Sequence, residues 1–455
     1  MSVRLVSTRG GPAVDMPAAV LAGLAPDGGL YVPEEWPRLD PAGLDAGSGF
    51  TAVATAVLDL FTSDLLPAPR LERLVGEAFA RFDHPEVAPL VELGQDLYLM
   101  ELFWGPTLAF KDFALQVLGR LVDVALGERG GNAMILGATS GDTGSAAMEA
   151  FRDRDRVDVV ILFPEGRTTE VQRRQMTTID APNVHAVAVQ GTFDDCQDLV
   201  KAVFADPRAR DDLSLSTANS INFGRLITQV AYYYWAVARL GGPVSFAVPS
   251  GNFGNVYSGY AATRMGLPVR RLIVGSNANN VLDGFFREGR LDLGTVIPTL
   301  SPSMDIQVPS NLERLLFDLF GRDGERLVSA MTRLREEGSL AVAGGPDDLF
   351  SSRWYDDEDT MATMREVYRS SGRIVDPHSA VGIAAARDTA PDGPVVCLAT
   401  AHPAKFADAV ERALGRPSPV PEALEGIHDR PERVTRIPRD LGAIHRLLRD
   451  KSRFA

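Results

Sequence analysis

Two cysteines, Cys196 and Cys397, are all that the 455 residues contain, too few for a disulfide framework or a structural zinc site. Histidine is scarce as well. Its six copies are scattered, with no H-E-x-x-H or Cys/His metal spacing, so no metal centre is expected. No apolar run approaches the ~20 residues needed to cross a bilayer. The opening MSVRLVSTRGG has no apolar stretch of the kind a signal peptide carries. Basic residues are in the minority, 46 against 60 acidic ones, for a formal charge of −14, whereas a nucleic-acid-binding surface carries the opposite excess. No repeat or low-complexity tract stands out, and neither a G-x-S-x-G elbow nor a G-x-x-x-x-G-K-[ST] loop occurs. The expectation is a cytoplasmic protein acting on a small molecule, with no nucleic-acid or membrane partner.

Glycine, by contrast, is plentiful at 42 residues. Many copies sit in short clusters after apolar runs, where a backbone can approach a ligand closely. AMILGATSGDTGSAAMEAFRD reads as strand, loop and helix, and VSFAVPSGNFGNVYSGYAATRMG and PVVCLATAHPAKFADAVERAL repeat the pattern. Between them, VDVVILFPEG and VHAVAVQG read as strands, TEVQRRQMTT and FDDCQDLVKAVFAD as helices. Alternation of this kind builds parallel sheets covered on both faces, so the fold class is α/β. The first ~95 residues differ, with Pro- and Gly-rich loops around two helical stretches. Ligands of open α/β sheets bind at the carboxyl ends of strands. That places Thr139–Gly144, Ser250–Asn255 and Thr400–Lys405 among the functional candidates.

Each segment has a plain reading beside a chemical one. Lys111, in ELFWGPTLAFKDFALQ, has the apolar neighbours Leu108, Ala109, Phe110 and Phe113. A helical lysine is ordinarily solvated, but a buried one has a lowered pKa and becomes a nucleophile. GATSGDTGSAA brings Ser140, Asp142 and Thr143 to a helix start, where N–H groups bind anions. Dinucleotide binding is its rival, because Glu165 follows about 20 residues later, although the spacing G-x-x-x-G-x-x-G lacks the tight first turn. Ser250, Gly251, Asn252, Gly254 and Asn255 read either as a phosphate cradle or as a glycine-rich turn. TANSINFGR places Asn219, Ser220, Asn222 and Arg225 together, as polar ligands or as a helix N-cap. Thr400 follows the strand PVVCLA and offers a hydroxyl to a ring nitrogen, or else caps the helix at Ala404. His378 and His402 read as structural or supporting residues.

Taken in order, STRGG, LAPDGGLYVPE, GPTLAFKDF, GATSGDTGSAA, QMTT, TANSINFGR, SGNFGN, PSMDIQVPSNLER, DPHSAVG and TAHPAKF resemble the long-form threonine synthases. These belong to the fold type II pyridoxal-phosphate enzymes, which are similar to the tryptophan synthase β subunit. The resemblance runs from Ser7 to Phe406. It implies two open parallel-sheet units with the active site between them and an added N-terminal unit. Residues 1–95 would form that helical and loop unit, 96–130 with 220–455 the larger cofactor-binding domain, and 131–219 the smaller α/β domain.

The resemblance also implies roles. Lys111 would carry pyridoxal 5′-phosphate as a Schiff base and then transfer protons. Ser250, Gly251, Asn252, Phe253, Gly254 and Asn255 would cradle the cofactor phosphate, and Thr400 would hydrogen-bond the ring nitrogen. Asp142 would lie near the 3′-oxygen. Ser140 and Thr143 would bind the substrate carboxylate or assist the water step, while Asn219, Ser220, Asn222 and Arg225 would face the substrate phosphate. The implied reaction converts O-phospho-L-homoserine and water to L-threonine and phosphate, by γ-elimination and β-addition of water, in a monomer or homodimer. A phospholyase releasing 2-oxobutyrate, ammonia and phosphate is the alternative within the family, and an NAD-dependent dehydrogenase the alternative outside it. One position departs from the pattern: the family commonly carries His where Trp104 stands.

Overall fold

The computed structural model describes residues 3–44, 46–342, 348–389 and 391–454. Six strands form the larger sheet, in the spatial order Phe350–Trp354, Val269–Ser276, Val244–Pro249, Val395–Ala399, Leu97–Glu101 and Leu90–Gly94. All neighbours are parallel except the last pair. The smaller sheet is parallel throughout and runs Val434–Pro438, Val184–Gln190, Val157–Pro164, Ala133–Ala138 and Leu215–Ser216. Helices cover these strands on both faces, which is why VDVVILFP is buried at every position rather than alternating. The fold is α/β, as the alternation implies. Among the described residues, no helix is long and apolar enough to cross a membrane.

Two stretches depart from the expected domain limits. Leu90–Gly94 pairs with Leu97–Glu101 in the larger sheet, so a boundary at residue 95 falls inside a hairpin. Its two turn residues, Gln95 and Asp96, both have positive φ, +50° and +60°, the conformation of a tight hairpin turn. That turn is usually marked by Asn-Gly or Asp-Gly, and no such pair is present to signal it. At the other end, Val434–Pro438 lies beside Val184–Gln190, and its following helix, Leu441–Lys451, packs on the smaller sheet through Ile444 and Leu448. Residues 434–451 therefore belong to the smaller unit and not, as expected, to the larger one. Arg453 then reaches the buried Asp158 of the central strand, Nε to Oδ1 2.5 Å, and compensates a carboxylate that the sheet interior would otherwise exclude.

The N-terminal helices are continuous with the main core. Phe50 and Phe79 meet Phe113 at ring separations of 5.4 and 5.9 Å. Phe113 in turn meets Tyr232 at 5.8 Å. This aromatic layer buries one face of the Lys111–Arg129 helix. Its other contact is the Asp142–Phe151 helix, which approaches so closely at Gly119 that an added Cβ would lie 2.6 Å from the Ala150 carbonyl oxygen. Two helices whose first residues are Lys111 and Asp142 are thus fixed against each other.

Candidate active site

Lys111 begins its helix after a tightly laced approach. Leu108 has φ +62°, and Ala109 forms an isolated antiparallel bridge with Ala401. Phe110 N–H donates to the Thr400 carbonyl at 2.9 Å, and His402 N–H to the Leu108 carbonyl at 3.0 Å. The segments carrying Lys111 and Thr400 are therefore joined by main chain, and neither position depends on a mobile loop. The Lys111 side chain is only 12% exposed. Burial lowers its amine below the ordinary lysine value; Asp142 opposes this, and the nearby cations Lys405 and Arg225 reinforce it.

Asp142 heads the other helix. Its Oδ2 is 3.4 Å from Lys111 Nζ, and its Oδ1 accepts from Lys405 Nζ at 2.8 Å and from Gln172 Nε2 at 2.8 Å. Burial alone would raise its carboxyl, but Lys405 and Lys111 override that and hold it well below the usual carboxylate range. The loop before it is closed by Thr139, whose Oγ1 accepts from Gly141 N–H and Gly144 N–H, both at 2.9 Å.

Ser250–Asn255, expected as a phosphate cradle, forms a concave loop at a helix start. Phe253, buried, has φ +63° at the N-cap of the Gly254–Arg264 helix, a strained conformation for a bulky residue. The kink turns the chain so that the first helical N–H groups and their dipole meet one concave surface. A Cβ on Gly251 would sit 2.7 Å from the Ser303 carbonyl oxygen and 2.9 Å from Met304 Cα, so the cradle leaves no room for a side chain. Asn311 accounts for its shape, since its N–H and Nδ2 both donate to the Asn252 carbonyl, at 3.1 and 3.2 Å. Arg314 grips Asn311 and the Tyr31 and Ile221 carbonyls. Next to it, Glu313 binds Arg9 at 2.7 Å and Thr8 at 2.8 Å. The PSNLER and STRGG segments are thus one brace, tying the N-terminal unit to the cradle.

Two residues that line this cavity each carry a buried donor with no partner among the described residues. Asn255 Oδ1 accepts from Tyr232 and Tyr233, which leaves its Nδ2 unpaired, and Arg225 Nε is likewise unpaired although its Nη1 holds the Ala218 carbonyl. Burial brings the Arg225 guanidinium down to about 10, so it stays cationic at neutral pH. An unpaired buried donor costs stability. A bound anion would satisfy each of them, and the residues present fit a phosphorylated cofactor held beside Lys111.

The same cavity is lined by Thr400, whose N–H is held by Ser379 Oγ at 3.2 Å. Ser379 in turn bonds Asp376, which also takes His378 Nδ1 at 2.8 Å. His378 Nε2 accepts from Ser303 N–H at 3.2 Å, so its proton sits on Nδ1 and the ring is a brace for the Ser303–Met304 wall. Thr400 caps nothing; that role is taken by His402, whose Nδ1 accepts from Ala404 N–H.

One cavity therefore brings together Lys111, Asp142, Thr143, Ser220, Arg225, Thr400 and the whole Ser250–Asn255 loop. It does not gather every candidate. Ser140 and Asn219 are exposed and do not line it. Asn222 is buried away from it as a helix cap, accepting from Gly224 N–H at 2.9 Å and donating to the Val20 carbonyl at 2.8 Å, which is the plain reading of TANSINFGR. Glu165 is taken by Arg436 at 2.8 Å. Trp104 lines a neighbouring cavity instead, its Nε1 bonded to Glu101 at 3.0 Å, so the His-to-Trp departure does not touch the surroundings of Lys111. Sequence reasoning missed Gln172, Gln229 and Ser303, and reached Lys405 only as the end of the Thr400–Lys405 loop, with no role. Of these, only Lys405, set between Ala404 and Phe406 in TAHPAKF, carries a signal of its own, a charge in an apolar setting.

Comparison with known proteins agrees with this geometry. Residues 84–344 match the family described as pyridoxal-phosphate dependent enzyme, 4–79 the threonine synthase N terminus, and 379–448 the C-terminal region of threonine synthase. A threonine synthase of Pseudomonas aeruginosa is 46% identical, over 97% of each chain. The solved structure of a pyridoxal-phosphate-bound threonine synthase from Brucella melitensis superposes with a TM-score of 0.97 at 45% identity, covering 99% of this chain and 100% of that one. Yeast threonine synthase gives a TM-score of 0.92 at 35% identity, with 99% of each chain covered. The fold is that of a type II pyridoxal-phosphate enzyme and the cofactor is pyridoxal 5′-phosphate. With the cradle, the buried lysine and full-length matches in hand, the chain belongs to the threonine synthase family of pyridoxal-phosphate-dependent lyases.

Proposed function

We propose that the chain converts O-phospho-L-homoserine and water to L-threonine and phosphate, with Lys111 as both the cofactor-carrying amine and the proton carrier. The carrying observation is the single cavity in which a buried lysine, a glycine-rich helix start and two unpaired buried donors converge. When bound, the cofactor withdraws electrons from the substrate α-carbon. The residues do the rest. The Gly251–Asn255 main chain and Asn255 Nδ2 hold the cofactor phosphate, and Thr400 accepts or donates at the ring nitrogen without imposing a charge. Lys111, on one side of the substrate, takes the α-proton and serves the later transfers at the β- and γ-carbons, which a single mobile amine can reach. Arg225, cationic and lacking a partner at Nε, stabilises the charge that develops on the departing phosphate, with Ser220 beside it. Thr143, at the first turn of its helix, receives the substrate carboxylate.

The test is spectroscopic and chemical. Purified protein with pyridoxal phosphate is expected to show a visible cofactor band that Lys111→Ala loses. Added O-phosphohomoserine should give threonine. Mainly 2-oxobutyrate would reassign the reaction to a phospholyase, and a band that persists in Lys111→Ala would remove Lys111 from its role.

A further inference from the structure

Lys405, beside the cavity, combines a formal charge with complete burial: its side chain is 0% exposed. It follows the strand Val395–Ala399 in a short 3-10 turn, Pro403–Phe406. Its ammonium donates to Asp142 Oδ1 at 2.8 Å and to the Thr107 carbonyl at 2.6 Å. It does not line the cavity. A buried charge survives only where geometry compensates it, so the contacts of Lys405 indicate its purpose. Both lead to Lys111, one through the loop that precedes it and the other through the carboxylate that faces it.

We propose that Lys405 is a positioning residue for Lys111, a fixed counter-charge that keeps Asp142 ionised and aimed so that one carboxylate is shared between two lysines. Asp142 spends Oδ1 on Lys405 and Gln172 and offers only Oδ2, at a longer 3.4 Å, to Lys111. Lys111 therefore receives a weak hold rather than a full ion pair, while Lys405 and Arg225 repel its protonated form. Among the described residues, Asp142, Lys405 and Arg225 act on Lys111, Asp112 and His402 also feel Lys405, and His378 lines the same cavity. The arrangement favours the free amine without removing the carboxylate. This rests on Lys111 being the amine that carries the cofactor.

The experiment follows the pH dependence of cofactor-band formation when pyridoxal phosphate is added to cofactor-free protein, a readout of the free-amine fraction that needs no turnover. In Lys405→Met, Lys111 becomes the one remaining cation paired with Asp142, which Gln172 still holds, and one repelling cation is lost. The midpoint is expected to move to higher pH by about one unit or more. In Asp142→Asn the attraction is lost while Lys405 and Arg225 remain, and the midpoint is expected to move to lower pH. The double variant should lie much nearer wild type than Lys405→Met does, because Lys405 acts largely through Asp142. Lys405→Arg, which keeps the charge, should restore a midpoint near wild type. Equal midpoints in wild type and Lys405→Met, or a shift of the same sign in Asp142→Asn, would overturn the proposal. Should Lys405→Met not fold, Asp142→Asn alone still decides by its direction. Loss of the band in every variant, together with its persistence in Lys111→Ala, would instead overturn the assignment of Lys111.

Discussion

Asn222 separates a structural from a catalytic reading of one polar segment, and its replacement by alanine gives opposite results for the two. The side chain closes two helices at once. Its Oδ1 caps the Phe223–Leu240 helix through Gly224 N–H at 2.9 Å, and its Nδ2 takes the Val20 carbonyl at 2.8 Å in the last turn of Met16–Ala22. Removing an N-cap costs about 1 kcal/mol. Val20 is 1% exposed, so its carbonyl is left without a partner or water, a further cost of about 1–3 kcal/mol. Asn222→Ala should therefore lose about 2–4 kcal/mol. Asn222→Ser, which keeps the cap but cannot reach Val20, should lose only the second part. Urea unfolding followed by far-ultraviolet dichroism and by the cofactor band reads the loss as an earlier transition. KM for O-phosphohomoserine should stay within about threefold of wild type, since uniform substrate binding is untouched. A KM raised about tenfold or more, with the urea transition unmoved, would refute the reasoning and return Asn222 to the substrate.

Two other outcomes follow from the same geometry. Gly251→Ala forces a methyl against main-chain atoms at 2.7 and 2.9 Å; backbone cannot swing away, and overpacking costs about 1–3 kcal/mol, so cofactor affinity measured by spectral titration should fall about tenfold or more. Burial pulls the His402 imidazole down to about 4, from 6.5. Its folded-state pKa lies below the unfolded one, so stability is full above about pH 6.5 and falls as pH drops towards 4. The loss amounts to about 2–3 kcal/mol, and denaturant midpoints at pH 7 and 4.5 should differ less in His402→Gln than in wild type. Equal pH slopes in the two proteins would show that His402 is not the group responsible.

Much of the fold was legible because parallel strands announce themselves. VDVVILFP and PVVCLA are apolar on both faces and end in loops that the sheet must present together. The Gly251 and Gly254 positions and Lys111 were legible for the same reason: their residue types suit only a few local environments. What failed to show was long-range pairing. Val434–Pro438 joins a sheet whose other strands end at Ser216, and no local pattern reports a partner so distant in sequence. Leu90–Gly94 was hidden by a turn made from Gln95 and Asp96. Within TANSINFGR, composition alone could not tell ligand from cap, because Asn and Ser serve both. Only the position of Val20 separates Asn222 from Arg225. The role of Lys405, as distinct from its place in a candidate loop, was hidden in a different way, since a lone lysine is ordinarily solvated and its burial depends on Asp142 and Thr107 arriving from other segments.

The late return of Val434–Pro438 to the smaller sheet also bears on synthesis. Until that strand leaves the ribosome, Val184–Gln190 is a bare edge, with its row of N–H and C=O groups open to another chain. All of the larger sheet's later strands must be made in between. At ordinary translation speeds the gap between Gln190 and Val434 takes about 10–50 s, far longer than hairpin formation or collapse. The nascent smaller unit therefore spends most of its production time incomplete, and a chaperone that shields one apolar strand edge would matter more to its yield than one that speeds folding.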